Sequence, residues 1–255
     1  METMVKAAIQ DGLTSLGFSS HNYTGFSWDA CGIHEDQIDA YFQEIDRLGE
    51  KYPQISLYRG FEIESRSASG KIVFDPRLQY SIGSCHAFAT PKGFMDVDNT
   101  PEIFQQAIDA FGGDVRLLVE NYYQEVVRFA KTAPFSIIGH FDLVTKFLDK
   151  KPFFDEQESW YQDMALEYLE EAAKTGKIFE VNTGAISRGW KRDPYPASFL
   201  LERLYRLHAP ILISSDSHSA STLTCHFDET ENLLRSIGFK EQMQLTDRGF
   251  QPVSL

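Results

Sequence analysis

The sequence predicts an α/β fold built on a parallel sheet, and two observations support this prediction. Short apolar segments alternate along the chain with segments whose apolar residues recur at helical spacing. Most of the short segments also end directly at a histidine, an acidic residue or an asparagine. Alternation of strands and helices favours a parallel sheet, open or closed. Functional residues at the strand ends favour a barrel whose site lies at the carboxyl ends of the strands.

The chain is predicted to begin with a helix, whereas alternating α/β units normally begin with a strand. Gly12 suits the position just after this helix, because glycine readily adopts the left-handed conformation that ends many helices. We predict helices over residues 3–11 and 36–50, and strands over residues 13–20, 55–63 and 80–85.

The rest of the chain continues the alternation. Thr100 followed by Pro101 is a strong start signal for a helix, because threonine caps the first turn and proline suits the first helical position. We predict helices over residues 101–110, 114–131, 156–175, 197–207 and 227–237, and strands over residues 135–138, 177–181, 210–215 and 242–254. The chain shows no linker, low-complexity segment or repeat, so residues 1–255 are predicted to form a single domain.

Composition limits the classes of function. The formal net charge of −13 argues against nucleic acid as the main partner, because binding its backbone requires a basic surface. No apolar segment is long enough to cross a membrane, and the N-terminus does not resemble a signal peptide. The three cysteines have no CxxC spacing, which favours a reducing compartment. We therefore expect a cytoplasmic enzyme.

Candidate metal ligands occur where predicted strands end. Imidazole and carboxylate groups suit zinc, iron or manganese, and the ends of parallel strands converge on one face of the sheet. The pattern predicts a polynuclear metal centre with hydrolytic chemistry. The candidate ligands are His21, Glu62, His86, His140, Asp216 and His218.

Two carboxylates compete for one position in this set. Glu62 and Glu64 lie two residues apart on one strand and therefore point to the same face. We prefer Glu62 as the metal ligand, because it lies closer to the body of the strand. Asp142 follows His140 by two residues and is predicted to orient an imidazole rather than to bind metal.

The remaining histidines and the cysteine beside His86 are weaker candidates. Cys85 should point to the opposite face from His86, because neighbouring side chains alternate along a strand. His34 and His208 are predicted to lie at the surface. His226 lies in Cys-His-Phe-Asp, and the sequence leaves its role open.

Basic residues form a second group that suits a phosphate ester. Arg188 lies in a loop that follows a predicted strand, and Lys146 lies six residues after His140. A guanidinium group can bind two phosphate oxygens at once. Arg192 is a weaker candidate in the same loop. No nucleophile elbow, Walker loop or dinucleotide-binding motif is present, and a glycosidase would leave the histidines unexplained.

Taken in order, these motifs resemble the polymerase-and-histidinol-phosphatase (PHP) superfamily, and within it the histidinol-phosphatase branch. The matching segments are Gly-Phe-Ser-Ser-His21, Gly-Phe-Glu62-Ile-Glu, Gly-Ser-Cys-His86, Gly-His140-Phe-Asp, Glu-Val-Asn182-Thr-Gly and Ser-Ser-Asp216-Ser-His218. The resemblance covers almost the whole chain. It implies a distorted (βα)7 barrel with two to three divalent ions, which are zinc, manganese or iron in this family.

The resemblance also implies individual roles. Glu62 would bridge two metals, Asp216 would bind the first, His86 and His140 the second, and His21 with His218 the third. Arg188 corresponds to an arginine that binds the substrate phosphate, and Lys146 lies near a further basic position. The catalytic group would then comprise Glu62, His86, His140, Asp216 and His218.

The implied reaction is hydrolysis of L-histidinol phosphate by a hydroxide that the metals activate. The expected partner is thus a small phosphorylated metabolite, without nucleic acid or membrane. The family begins with a strand that carries His-x-His, which this sequence does not include. Either the protein begins further upstream, or it is an altered relative in which we expect a barrel with two open edges. Two alternatives follow: a PHP phosphoesterase for another phosphate ester such as a nucleotide, or an inactive metal-binding remnant.

Overall fold

A curled sheet of six parallel strands forms the centre of the protein. The structure is a computed structural model that describes residues 1–27 and 31–255. The strands of the sheet are β1 (Ser15–His21), β2 (Ser56–Glu64), β3 (Tyr80–Ser84), β6 (Ile137–Ile138), β7 (Ile178–Asn182) and β8 (Ile211–Ser214). Two antiparallel hairpins accompany it, formed by β4 (Ala87–Thr90) with β5 (Gly93–Asp96) and by β9 (Glu241–Thr246) with β10 (Gly249–Ser254).

Helices connect the strands of the sheet. Thr100 caps one of them by accepting a hydrogen bond from the amide of Ile103 at 3.2 Å, as its sequence context predicts. In the described part of the chain, no helix is both long and apolar enough to cross a membrane. The helices are α1 (Glu2–Gln10), α2 (Ile38–Lys51), α3 (Pro101–Ala110), α4 (Val115–Thr132), α5 (Ser159–Ala173), α6 (Gly184–Ser187), α7 (Ser198–Arg206) and α8 (Phe227–Ile237).

The sheet is an open half-barrel rather than a closed barrel. Its strand order is β1-β2-β3-β6-β7-β8, so β1 and β8 are the edges, as the predicted open barrel requires. A cavity of about 510 Å³ lies between these edges. The C-terminal hairpin spans the gap, because Gln242 accepts a hydrogen bond from the amide of Ile213 in β8 at 3.0 Å and Gln244 donates to Ser15 in β1 at 3.2 Å.

Tyr80 fills the interior of the half-barrel and explains two glycines in neighbouring strands. Its ring lies against Gly60 in β2 and Gly17 in β1. A Cβ atom would lie 2.3 Å from Cζ of Tyr80 if placed on Gly60, and 2.4 Å from its hydroxyl oxygen if placed on Gly17. The strands can therefore curl around this ring only because both positions lack a side chain.

The sequence located the longer helices and strands well, but it missed the short helix α6 (Gly184–Ser187), and two further differences concern strands. The strand predicted over residues 135–138 is only Ile137–Ile138, and the hairpin of β4 and β5 was not predicted at all. Each strand of this hairpin has four residues, too few for a clear alternation pattern. The missed hairpin matters for function, because Asp96 at its end lies in the wall of the candidate site.

Candidate active site and metal centre

All eight predicted site residues line a single cavity at the carboxyl ends of the strands. The cavity has a volume of about 320 Å³. The strands bring these side chains together because their carboxyl ends lie at the same edge of a parallel sheet, with His21 directly opposite Glu62. The eight residues are His21, Glu62, His86, His140, Lys146, Arg188, Asp216 and His218.

Glu62 is the centre of this group, because three imidazoles surround its buried carboxylate. Its Oε1 atom lies 3.0 Å from Nε2 of His140 and 3.4 Å from Nε2 of His86. Its Oε2 atom lies 3.6 Å from Nε2 of His21. Ser84 donates a further hydrogen bond to Oε1 at 2.6 Å.

The electrostatics of this cluster favour a bound cation. Burial opposes ionisation of Glu62, but His21, His86 and His140 outweigh burial and hold the pKa of its carboxyl well below the usual range. Burial likewise opposes the charged form of His86, yet the neighbouring Glu62 and Glu64 raise its pKa well above the ordinary value. Hydrogen bonding to Glu62 raises the pKa of His140 against the effect of its burial. In the absence of metal, protons therefore provide the positive charge that this carboxylate attracts.

The donor atoms also fit a divalent metal ion. His21, Glu62 and His86 each offer one ligand atom, and these atoms lie within 4.8 Å of one another. Nδ1 of His140 is buried without a hydrogen-bond partner. Imidazole and carboxylate donors of this kind suit zinc, iron or manganese, so these residues can hold a divalent ion.

Glu64 does not share the position of Glu62, although both side chains leave the same face of β2. Its Oε2 atom lies 2.9 Å from Nδ1 of His86, on the side of the ring that faces away from Glu62. Its carboxylate also accepts hydrogen bonds from the backbone amides of Ser65 and His86. The two carboxylates thus contact the two different nitrogens of one imidazole.

Asp216 forms a second part of the site beside Glu62. Arg188 donates to its backbone oxygen at 2.9 Å and to Oδ2 at 2.8 Å, while Nε2 of His218 lies 3.5 Å from Oδ1. Burial would raise the pKa of Asp216, but the hydrogen bond to His218 and the charge of Arg188 lower it. The site therefore keeps this carboxylate ionised.

Lys146 lies in the cavity wall and is paired with an acidic residue that the sequence did not single out. Its ammonium group donates to Asp98 at the backbone oxygen (2.6 Å) and at Oδ2 (2.8 Å). Asp96 lies nearby in the same wall, and Asp98 donates its backbone amide to Oδ1 of Asp96 at 2.9 Å. The only sequence signal for this acidic wall was the segment Met-Asp-Val-Asp-Asn, which follows no predicted strand.

The structure also shows the partners of Asp142 and Cys85, which neighbour two of the candidate ligands in the sequence. The prediction that Asp142 orients an imidazole is wrong, because its Oδ2 accepts a hydrogen bond from the amide of Ala197 and its Oδ1 has no partner. Cys85 is buried, and its thiol donates to the backbone oxygen of Ala87 at 3.8 Å, away from the cluster. Outside the cavity, His226 lies 3.9 Å from Glu229 at the start of α8.

Comparison with known proteins identifies the family. The model of the PHP domain matches residues 1–184, which is more than half of the chain. The chain belongs to the PHP family. Glu62, His86 and His140 lie within the matched region, whereas Arg188, Asp216 and His218 lie beyond it.

Two curated relatives and one solved structure match this PHP protein over most of its length. A Schizosaccharomyces pombe protein named "Probable histidinol-phosphatase" is 28% identical over 254 residues, which cover 93% of this chain and 81% of the relative. The histidinol-phosphatase of Bacillus subtilis is 23% identical over 232 residues, covering 84% and 85% of the two chains. A histidinol phosphate phosphatase from Lactococcus lactis, solved with zinc, L-histidinol and phosphate, superposes with a TM-score of 0.71 at 20% identity, covering 98% and 91%.

Proposed function

We propose that this PHP protein hydrolyses L-histidinol phosphate to L-histidinol and phosphate. The observation that carries the proposal is the single cavity that joins a carboxylate surrounded by imidazoles to a guanidinium group. The relatives named as histidinol-phosphatases support the choice of substrate. So does the Lactococcus lactis phosphatase, which was solved with both products of this reaction.

The proposed metal ligands are the residues predicted from the sequence. Glu62 would hold two of two to three divalent ions of zinc, manganese or iron. His86 and His140 would complete one position, Asp216 another, and His21 with His218 a third. A bound divalent ion would activate water as the nucleophile and neutralise charge on the phosphoryl group.

Arg188 is the proposed phosphate ligand among the residues of the chain. A guanidinium group has five N–H donors, and the two hydrogen bonds to Asp216 leave others for phosphate oxygens. Charge developing on these oxygens during hydrolysis would be stabilised by the same donors. The ammonium group of Lys146 is paired with Asp98, so we expect Lys146 to contribute less to phosphate binding than Arg188 does.

The balance of charge in the cavity makes phosphate binding depend on metal. When the imidazoles are neutral, as metal binding requires, two basic side chains, Arg188 and Lys146, face more than twice as many acidic ones, and a phosphate dianion would be repelled by this excess. Divalent ions would reverse the local field. The acidic residues that line the cavity are Glu62, Glu64, Asp96, Asp98 and Asp216.

The surroundings of the Asp96 carboxylate favour a substrate that carries an ammonium group. Lys146 balances the charge of Asp98, whereas no described basic side chain lies within ion-pair distance of Asp96. Histidinol phosphate has an ammonium group beside its phosphate ester, and a nucleoside monophosphate does not. We therefore propose that Asp96 binds the substrate amine and disfavours the alternative nucleotide substrate.

The proposed setting is the cytoplasm, with a small metabolite as the partner. Within the described residues, Cys31, Cys85 and Cys225 form no disulfide, in keeping with a reducing compartment. The net charge of −13 disfavours nucleic acid as a partner.

The test compares three substrates with the manganese- or zinc-loaded protein: histidinol phosphate, adenosine monophosphate and p-nitrophenyl phosphate. We expect histidinol phosphate to have the highest kcat/KM, and we expect chelation to abolish the activity. Preference for the nucleotide would support the alternative phosphoesterase. No turnover of any substrate by the metal-loaded protein would support the inactive remnant.

Asp96→Asn tests the proposed amine contact. Loss of one charge-assisted hydrogen bond should lower kcat/KM for histidinol phosphate by about 10- to 100-fold. The kcat/KM for p-nitrophenyl phosphate, which has no amine, should change little. Asp163→Asn on the exposed side of α5 is the matched control. Equal losses for both substrates would contradict an amine contact.

A further inference from the structure

We infer that Glu64 is a positioning residue that determines which nitrogen of His86 faces the metal site. The inference rests on the proposed function, because it assigns a role relative to the proposed metal ligands. It concerns a carboxylate that touches neither the phosphate-binding arginine nor Glu62.

The geometry assigns the two nitrogens of His86 to two different carboxylates. Nδ1 lies 2.9 Å from Oε2 of Glu64, within hydrogen-bond distance. Nε2 lies 3.4 Å from Oε1 of Glu62 and belongs to the cluster with His21 and His140. A neutral imidazole has one nitrogen that donates and one that accepts. An ionised carboxylate can only accept, so Glu64 requires the proton on Nδ1 and leaves the lone pair on Nε2 for a metal.

Glu64 can impose this choice because its own position is fixed on several sides. The amide of His86 donates to its Oε2 at 3.0 Å, and the amide of Ser65 donates to Oε1 at 2.9 Å. Its backbone amide donates to Oδ1 of Asn22 at 2.8 Å, beside His21. The side chain is only 8% exposed, so water competes little for these bonds. The carboxylate thus fixes the backbone and the ring of His86 together.

The role also explains why β2 carries two inward carboxylates. Glu62 lies among three Nε2 atoms, where a shared cation is favoured. Glu64 lies one pleat further along the strand and reaches the far side of one ring. Removing its charge should make the Nε2 atom of His86 a weaker ligand while leaving Glu62 in place.

Zinc affinity of the purified protein, measured by competition with a chelator, tests this inference without relying on catalysis. Glu64→Gln should weaken zinc binding by about 10- to 100-fold, the range typical of lost outer hydrogen bonds to a ligand histidine. Glu64→Leu should weaken it further, because no acceptor remains. Glu180→Gln is the matched control, since Glu180 is also buried but accepts hydrogen bonds from the backbone amide of His140 at 2.8 Å and the side-chain amide of Asn182 at 3.0 Å rather than from an imidazole. It should leave zinc affinity near that of the wild type.

The tautomer of His86 provides a readout that a general loss of stability would not produce. Proton–nitrogen NMR of the zinc-loaded wild type should show the proton of His86 on Nδ1, and Glu64→Gln should reduce that preference. Wild-type zinc affinity in Glu64→Gln, or an unchanged tautomer, would overturn the inference. If Glu64→Leu does not fold, Glu64→Gln still decides the question. Absence of phosphatase activity in the wild type would refute the proposed function but leave the zinc and NMR results interpretable.

Discussion

At the scale of single residues, side chains of the same type in this site have different partners and therefore different roles. Glu62 and Glu64 are both buried glutamates on one strand, yet one lies among three imidazoles and the other holds the back of one ring. Asp96 and Asp98 also lie close together, yet only Asp98 has a lysine partner. Residue type alone therefore does not define a role in this cavity.

Ionisation of Asp96 should lower the free energy of unfolding of the metal-free protein as pH rises. Burial and the nearby Asp98 raise the pKa of Asp96 to about 6. Its carboxyl group binds a proton more tightly in the folded than in the unfolded chain, so folding is favoured at low pH and loses this contribution as pH rises through 6. The change is up to about 3 kcal/mol between roughly pH 4 and pH 7.

Urea unfolding at several pH values measures this effect. The free energy of unfolding of Asp96→Asn minus that of the wild type should increase by up to about 3 kcal/mol from pH 4 to pH 7, because asparagine does not titrate. Asp163→Asn, on the exposed side of α5, should show a difference that is flat with pH. A flat difference for Asp96→Asn as well would contradict the raised pKa.

At the scale of elements, the ends of the strands build the site and their middles shape the sheet. β1 and β2 place His21 opposite Glu62 where both strands end. Further back, Gly17 and Gly60 allow the ring of Tyr80 to lie inside the curled sheet. The curvature that brings the ligands together therefore depends on residues that carry no chemistry.

Gly60→Ala should destabilise the protein, because the new methyl group would lie 2.3 Å from a ring atom of Tyr80. Overpacking of this kind typically costs about 1–3 kcal/mol. Gly49→Ala is the control: it lies in α2, and a Cβ there would meet no atom within 4 Å. The control should be neutral or stabilising by about 0.5–1 kcal/mol. Equal effects on urea unfolding would contradict the packing explanation.

At the scale of the whole molecule, net charge and metal binding are connected. The chain has a formal charge of −13, and the cavity of the candidate site adds five carboxylates in one place. Concentrated like charge destabilises a folded protein unless a counter-charge is bound. Divalent ions in the cavity should therefore stabilise the entire fold.

Manganese or zinc at 100 times its dissociation constant should stabilise the folded protein by about 2.7 kcal/mol. For a protein of this size, the melting temperature should rise by about 5–11 °C. Glu62→Gln removes the central carboxylate of the cluster, so its melting temperature should respond much less to metal. Calorimetry with and without metal measures both shifts. An equal rise in melting temperature for the wild type and Glu62→Gln would mean that the stabilising ion binds outside this cluster.

Local signals explain why so much of the fold could be predicted from the sequence. The helix at Pro101–Ala110 begins and ends where predicted, because Thr100 caps it with its own side chain. The hairpin of β4 and β5 was missed, because four-residue strands carry little periodicity. Because this hairpin was not predicted, Asp96 could not be recognised from the sequence as part of the cavity wall.

The sequence by itself determined which strand ends carry possible ligands and that these ends share one edge of a sheet. Both follow from local patterns, since apolar segments mark the strands and their alternation with helices makes the sheet parallel. Only the tertiary structure decided the partners: Glu62 meets His140 across 78 positions of sequence, and Lys146 meets Asp98 across 48. Such pairs depend on strand register and loop path, which distant parts of the chain set together.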